Sequence, residues 1–211
     1  GLAIYPDDAN NAETLLKSAD MALYKVKGNG RNNFSFYESK MNDEVNRNVA
    51  INIRLHKAIK EKTLEMYYQP LIDLNTQKII GAEALMRWTD SELGFVPPDE
   101  FIAIAEKNNL IEQLGSFALN TAAEQAAQWQ VITPLQMAVN FSSVQFRHCE
   151  KLLTEIQQVL LKTGLPPNKL DVEVTESLLI NQEGELFDML KSLRNMGVEL
   201  SIDDFGTGYS A

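Results

Sequence analysis

Leu170-Asp171-Val172-Glu173-Val174-Thr175-Glu176 is an apolar run with acidic residues set into it, and Val198-Glu199-Leu200-Ser201-Ile202-Asp203-Asp204 is a second one. Between them, residues 184–196 read as a helix that Gly197 closes. Strand, helix and strand in that order predict a parallel sheet, because a crossover helix brings the chain back to the starting edge. The unit repeats upstream. Residues 136–141 read as a strand, residues 150–163 as a helix closed by Gly164, and the strand at residues 169–175 follows. Repeated units of this kind imply an α/β fold, either a barrel or an open doubly wound sheet.

Further from this centre the pattern changes. Residues 66–74 and 78–88 read as two strands joined by the turn Asn75-Thr76-Gln77, close enough for a hairpin. Pro97-Pro98-Asp99 opens a helix through Lys107, with proline in its first turn. Residues 110–130 form a longer amphipathic helix. Residues 38–62 are charged and free of Gly and Pro, with Val49, Ile51, Ile53, Leu55 and Ile59 as an imperfect apolar stripe. They read as a connecting helix between domains. At the N-terminus, residues 1–5 resemble the end of a strand and Pro6-Asp7-Asp8 a turn. Leu15, Leu16, Ala19, Ala22 and Leu23 recur at helical spacing, with Asn11 or Thr14 as cap and Lys25 and Lys27 in the last turn. Residues 33–37 alternate like an edge strand.

Composition narrows the function classes. A formal net charge of -10 argues against a nucleic-acid polymer as partner, because neutralising phosphates takes Lys and Arg. A small phosphate ligand stays open, since a carboxylate-bound cation reverses the local field. Cys149 is the only cysteine, which excludes an intrachain disulfide and a cysteine-type zinc site and points to a reducing, cytoplasmic compartment. No apolar run has the length of a membrane span, though a longer parent protein is free to be tethered elsewhere. The chain begins without methionine and is expected to be a piece of something longer. His56 and His148 stand without partner spacing, and Trp88 and Trp129 are read as packing residues.

The acidic residues are placed unusually. Asp and Glu belong by default on exposed helix faces. Glu83, Asn140, Glu173, Asp203 and Asp204 instead lie within or at the end of apolar strands. In a parallel α/β barrel the C-terminal strand ends surround one site. Oxygen ligands converging there suit Mg²⁺ or Mn²⁺. Carboxylates that merely cap the following helices are the plainer alternative; the same placement on four strands favours a metal site. Adjacent Asp203 and Asp204 repel, so one carboxyl is raised unless a cation or donor is near. Asp203-Asp204-Phe205-Gly206 contains a kinase-like tripeptide, but no glycine-rich loop or kinase catalytic loop accompanies it.

Glu83-Ala84-Leu85 with Arg87, preceded by Tyr68-Gln69-Pro70, resembles the opening of an EAL domain. Val139-Asn140-Phe141-Ser142, Glu173-Val174-Thr175-Glu176 and Asp203-Asp204-Phe205-Gly206-Thr207-Gly208 follow in that family's order. The resemblance covers residues 63–211. Residues 1–37 resemble the end of a GGDEF domain, through Tyr5-Pro6, Ala19-Asp20, Tyr24 and Gly30-Arg31-Asn32, and residues 38–62 connect the two.

The resemblance implies a modified (β/α)8, TIM-like barrel whose first strand is antiparallel, preceded by the α+β tail of the GGDEF domain. It implies hydrolysis of cyclic di-GMP to linear pGpG with two Mg²⁺ or Mn²⁺ ions. Glu83, Asn140, Glu173 and Asp203 are the implied metal ligands, and Asp204 holds the second ion. Glu83, Asp203 and Asp204 are thereby the implied catalytic residues. Arg87 and the Leu85 backbone meet substrate phosphate, Gln69 meets the ligand, and Glu176 anchors the glycine loop. A homodimer is implied, paired beside the loop at residues 205–210.

In the family, further strands carry a Lys and a Glu of the site, and this chain ends before them. Five of eight strands are expected here, so the chain alone is expected to be inactive and to bind ligand weakly. A non-catalytic cyclic di-GMP receptor is the alternative. The last strand is expected to be an open edge that recruits a partner, unless the connecting helix covers it.

Overall fold

The computed structural model describes residues 1–28, 32–176, 178, 184–203 and 206. The chain divides into two compact units, Gly1–Ile53 and Arg54–Ala211.

In the first unit, α1 spans Ala12–Gly28. Asn11 is its cap: Oδ1 accepts the backbone N–H of Thr14 at 2.9 Å, satisfying one of the donors that a helix start leaves open. The two strands expected on either side of α1 reduce to a single parallel bridge between Leu2 and Phe36. Leu2 donates to Ser35 O at 2.9 Å, and Tyr37 donates to Leu2 O at 2.7 Å. The ladder stops there because Ile4 gives its N–H to Asp8 Oδ2 at 2.7 Å, folding residues 4–8 into the turn around Pro6. Asn29, Gly30 and Arg31, part of the GGDEF-like motif and of the segment after α1, lie outside the described residues.

The helix α2 runs over Lys40–Glu61. Its apolar stripe is narrower than the sequence suggested. Ile51, Leu55 and Ala58, three and four residues apart, are buried, whereas Val49 and Ile53 face outward at 55% and 63% exposure. Arg54 bonds both carboxylate oxygens of Asp90, at 2.9 and 3.1 Å, and also pairs with Glu92. This end of α2 is therefore held beside β2 of the sheet.

The second unit is a six-stranded sheet with helices. Strands β1 (Glu65–Ile72) and β2 (Ile79–Asp90) form the expected antiparallel hairpin, and Asp73 Oδ1 accepts the N–H groups of Asn75 and Thr76 in its turn. A short strand missed in the sequence, β3 (Gly94–Val96), folds back on the end of β2. Then follow α3 (Pro98–Lys107), α4 (Ile111–Gln130), β4 (Gln136–Phe141), α5 (Cys149–Thr163), β5 (Leu170–Thr175), α6 (Glu185–Asn195) and β6 (Glu199–Asp203). Single 3-10 turns precede α5 and β5. Gly164 ends α5 with φ 70, the left-handed cap that glycine adopts without strain.

Strand order is β1-β2-β4-β5-β6, with β2, β4, β5 and β6 mutually parallel. The core lies on one face. Ala84, Met137, Val139, Phe141, Leu170, Val172 and Val174 pack against Leu119, Ala122 and Ala126 of α4, Ile156 and Leu160 of α5, and Leu186, Met189 and Leu193 of α6. The helices of this core and the parallel strands β2, β4, β5 and β6 make a mixed α/β fold. Trp88 on β2 extends the core toward α3, its ring edge-on to Phe101 at 5.8 Å. Among the described residues no helix is long and apolar enough to cross a membrane.

Candidate functional site

Side chains alternate along a strand, so residues two apart share a face. Every core position named above belongs to one parity. The other parity carries Gln69, Glu83, Leu85, Arg87, Asn140, Asp171, Glu173, Ser201 and Asp203. The ladder registers join these across strands: Gln69 pairs with Glu83, Asn140 with Glu173, and Glu173 with Ser201. Glu83 is level with Ala138, two residues before Asn140, and Asp203 lies two residues beyond Ser201. Four strands therefore bring Glu83, Asn140, Glu173 and Asp203 to the face away from the helices.

These groups interact. Asn140 Nδ2 donates to Glu83 Oε1 at 2.7 Å. Glu173 is half-buried, and its Oε2 is enclosed without a hydrogen-bond partner among the described residues. Burial raises the Glu173 carboxyl to about 7, and the negative charges of Glu83, Asp171 and Asp203 push in the same direction. One step deeper, Asp171 accepts the Ser201 hydroxyl on Oδ2 at 2.7 Å. Its carboxyl is raised by burial despite that bond, with Glu199 adding to the rise.

The remaining predicted residues fall around this group. Arg87 donates to Met86 O at 2.9 Å and lies over the Tyr67 ring, 5.9 Å from its centroid. Gln69 is exposed on the neighbouring strand. Glu176, directly after β5, is 7% exposed, and its Oε2 accepts the backbone N–H of Gly206 at 2.9 Å. Asp204, Phe205 and residues 207–211 lie outside the described residues, and with them the loop expected to mediate pairing, Gly206 excepted. His148 sits on the surface, 3.8 Å from Glu112.

A cleft of about 420 Å³ opens over these strand ends. Glu83, Leu85, Arg87, Asn140 and Asp203 line one side of it. Asp99, Glu106, Gly115, Ser142 and Gln145 line the other, together with apolar residues of α3 and α4. The sequence did not single out this second wall. Glu106 has the spacing of an ordinary exposed helix residue, and Gln145 follows a strand without any periodic signal. Asp171 was legible in principle, being two residues before Glu173 in the same strand.

All the candidates offer oxygen, the chemistry that hard divalent cations take. The enclosed, unpartnered Glu173 oxygen fits a cation, since a buried acceptor otherwise goes unsatisfied. Among the described residues no three His, Cys, Asp or Glu side chains close into an ion-holding group by themselves. Asn140 is the further donor on the same face.

Residues 53–211 match the protein-family description "EAL domain". Over its whole length the chain is 41% identical to an uncharacterized signaling protein of Caulobacter vibrioides, covering 26% of it. It is 37% identical to the bifunctional diguanylate cyclase/cyclic di-GMP phosphodiesterase MucR of Pseudomonas aeruginosa, covering 31% of that protein. The chain thus spans about a quarter to a third of the length of these curated relatives. A solved structure described as PaMucR phosphodiesterase in a c-di-GMP complex superposes with a TM-score of 0.72 at 36% identity, over 77% of this chain and 66% of that one. The order of the motifs, the sheet that carries them and the match over residues 53–211 agree, and the chain belongs to the EAL-domain family.

Proposed function

We propose that this chain is the first part of a cyclic di-GMP phosphodiesterase module that hydrolyses its substrate to linear pGpG at a two-ion site. The observation that carries the reading is the convergence of Glu83, Asn140, Glu173 and Asp203 on one sheet face, with an enclosed Glu173 oxygen lacking a partner among the described residues. Relatives named as cyclic di-GMP phosphodiesterases, at 37% and 35% identity, support it.

Glu83, Asn140, Glu173 and Asp203 would hold Mg²⁺ or Mn²⁺, with Asp204 for a second ion. Bound cations supply Lewis-acid polarisation of the scissile phosphodiester and offset the charge of an anionic substrate on an acidic protein. The chain's own residues do the rest. The Arg87 guanidinium, backed by the Tyr67 ring, orients a phosphate by paired N–H groups. The Leu85 backbone and Gln69 complete the ligand wall. Asn140 spends its Nδ2–H on Glu83, which leaves its carbonyl oxygen as the donor for a cation. Glu176 holds the start of the following loop through Gly206.

Residues 1–37 are proposed as the end of a GGDEF domain, residues 38–62 as the connector and residues 63–211 as the start of a (β/α)8 barrel. The alignment of the whole of this chain with 31% of a protein named a bifunctional cyclase and phosphodiesterase supports that division. Pairing of two copies through the EAL part belongs to the same proposal.

The test uses the full-length protein with cyclic di-GMP and Mg²⁺ or Mn²⁺, following pGpG by chromatography. Hydrolysis that stops in excess chelator and in Glu83→Ala supports the reading. Tight binding with no turnover identifies a receptor instead, and undiminished hydrolysis in chelator removes the metal site.

A further inference from the structure

The turn that follows Asn140 is tied down more heavily than its length requires. Ser142 donates its backbone N–H to Gln145 Oε1 at 3.0 Å, and its carbonyl accepts the N–H of Gln145 at 3.0 Å. Its hydroxyl donates to Glu106 Oε1 on α3 and accepts the N–H of Val144 at 3.2 Å. Gln145 is 6% exposed, an unusual place for an amide. It fits because residue 115 on α4 has no side chain. A Cβ built on Gly115 would stand 2.0 Å from Gln145 Nε2 and 2.8 Å from its Cδ.

Asn140 needs such support. Beyond Ala84↔Val139 the β2 ladder no longer holds β4, so its last residues have a ladder partner only in β5. Asn140 itself is exposed and bonded to Glu83. The ties on Ser142, two residues on, take the place of the missing ladder. We infer that Glu106, Ser142, Gln145 and the gap at Gly115 form a clamp that positions Asn140 for cation binding. The inference rests on the metal-site reading above. None of the clamp residues ligates the ion. They act through the backbone of β4, as the partners of metal ligands commonly do.

The test reads Mn²⁺ affinity of the full-length protein by calorimetry, and hydrogen exchange of the Ser142 and Gln145 amides without cation. Gln145→Ala frees the Ser142 amide and weakens Mn²⁺ binding roughly tenfold. Gly115→Ala does the same by expelling Gln145, so the double variant is no weaker than Gly115→Ala alone. Glu106→Ala weakens binding, and Glu106→Gln, which keeps an acceptor oxygen for the Ser142 hydroxyl, restores it. If Gly115→Ala fails to fold, Gln145→Ala and the Glu106 pair carry the result.

Faster exchange with unchanged Mn²⁺ affinity overturns the positioning role. Unchanged exchange in Gln145→Ala overturns the clamp itself. A wild-type protein that binds no Mn²⁺ overturns the metal-site reading and the positioning role with it, whereas wild-type binding with unaltered variants overturns the positioning alone.

Discussion

Asn140 at the end of β4 donates to Glu83 in the middle of β2 across 2.7 Å, so a neutral amide separates a carboxylate from the acidic residues beyond it. Neighbouring Glu173 already carries repulsion from Glu83 and Asp203. Replacing the amide by a carboxylate removes the donor and adds a charge. Asn140→Asp is expected to lower the midpoint of thermal unfolding without metal at pH 8 by roughly 2–4 °C, the shift that about 1 kcal/mol produces in a protein of this size. Scanning calorimetry with and without Mn²⁺ checks it: the deficit shrinks when the ion is added.

Glu173 sets a pH dependence with a definite sign. Its folded carboxyl is raised from 4.5 to about 7, so between those values the folded chain holds a proton that the unfolded chain has released. Stability from this group is full below about 4.5, falls as pH rises toward 7, and is level above. Glu173→Gln is therefore expected to stabilise the metal-free chain at pH 8 and to be neutral at pH 4.5. Denaturant midpoints at the two values decide it, and equal shifts at both contradict it.

The same proton competes with a cation. Binding of Mn²⁺ has to displace it, so affinity is expected to rise about tenfold per pH unit below 7 and to flatten above. Calorimetry in buffers of different ionisation heat also counts the released proton. Binding that is flat between pH 6 and pH 8 excludes Glu173 as a ligand.

Arg87 is expected to act on the ligand and not on the fold. Its guanidinium contacts the Met86 carbonyl and the Tyr67 ring at the edge of the cleft. Arg87→Ala is expected to weaken cyclic di-GMP binding by the full-length protein by about 1.5–3 kcal/mol, the range of a hydrogen bond to a charged group. Mn²⁺ affinity measured alongside should hold steady.

Phe101, 0% exposed and edge-on to Trp88, joins α3 to the β2 end. Phe101→Ala is expected to cost about 3–5 kcal/mol, as large-to-small changes in a packed core do. A urea titration measures this directly.

Much of the second unit was legible because its strands are long enough to show parity and glycine closes α5 and α6. Gln136–Phe141 and the Gly164 cap are cases in which local chemistry and tertiary packing agree. Short pieces were not legible. Gly94–Val96 is a strand only because the end of β2 offers it a partner. Residues 1–5 and 33–37 had strand-like composition but extended their pairing no further than Leu2 and Phe36. Within the site, Glu83, Asn140, Glu173 and Asp203 were visible as polar residues in apolar runs. Glu106 and Gln145 were not, because their place depends on a void at Gly115, and no local pattern records a void.

The site is encoded in odd and even positions. A strand shifted by a single residue presents its other set of side chains. Deleting one residue early in β4 would send Asn140 in among the aliphatic groups of α4 and α5 and turn Val139 to the face that carries Glu83 and Glu173. Length changes in the connections leave this arithmetic untouched, whereas length changes inside β2, β4, β5 or β6 turn Glu83, Asn140, Glu173 or Asp203 off their shared face even when every amino acid of the motif is kept.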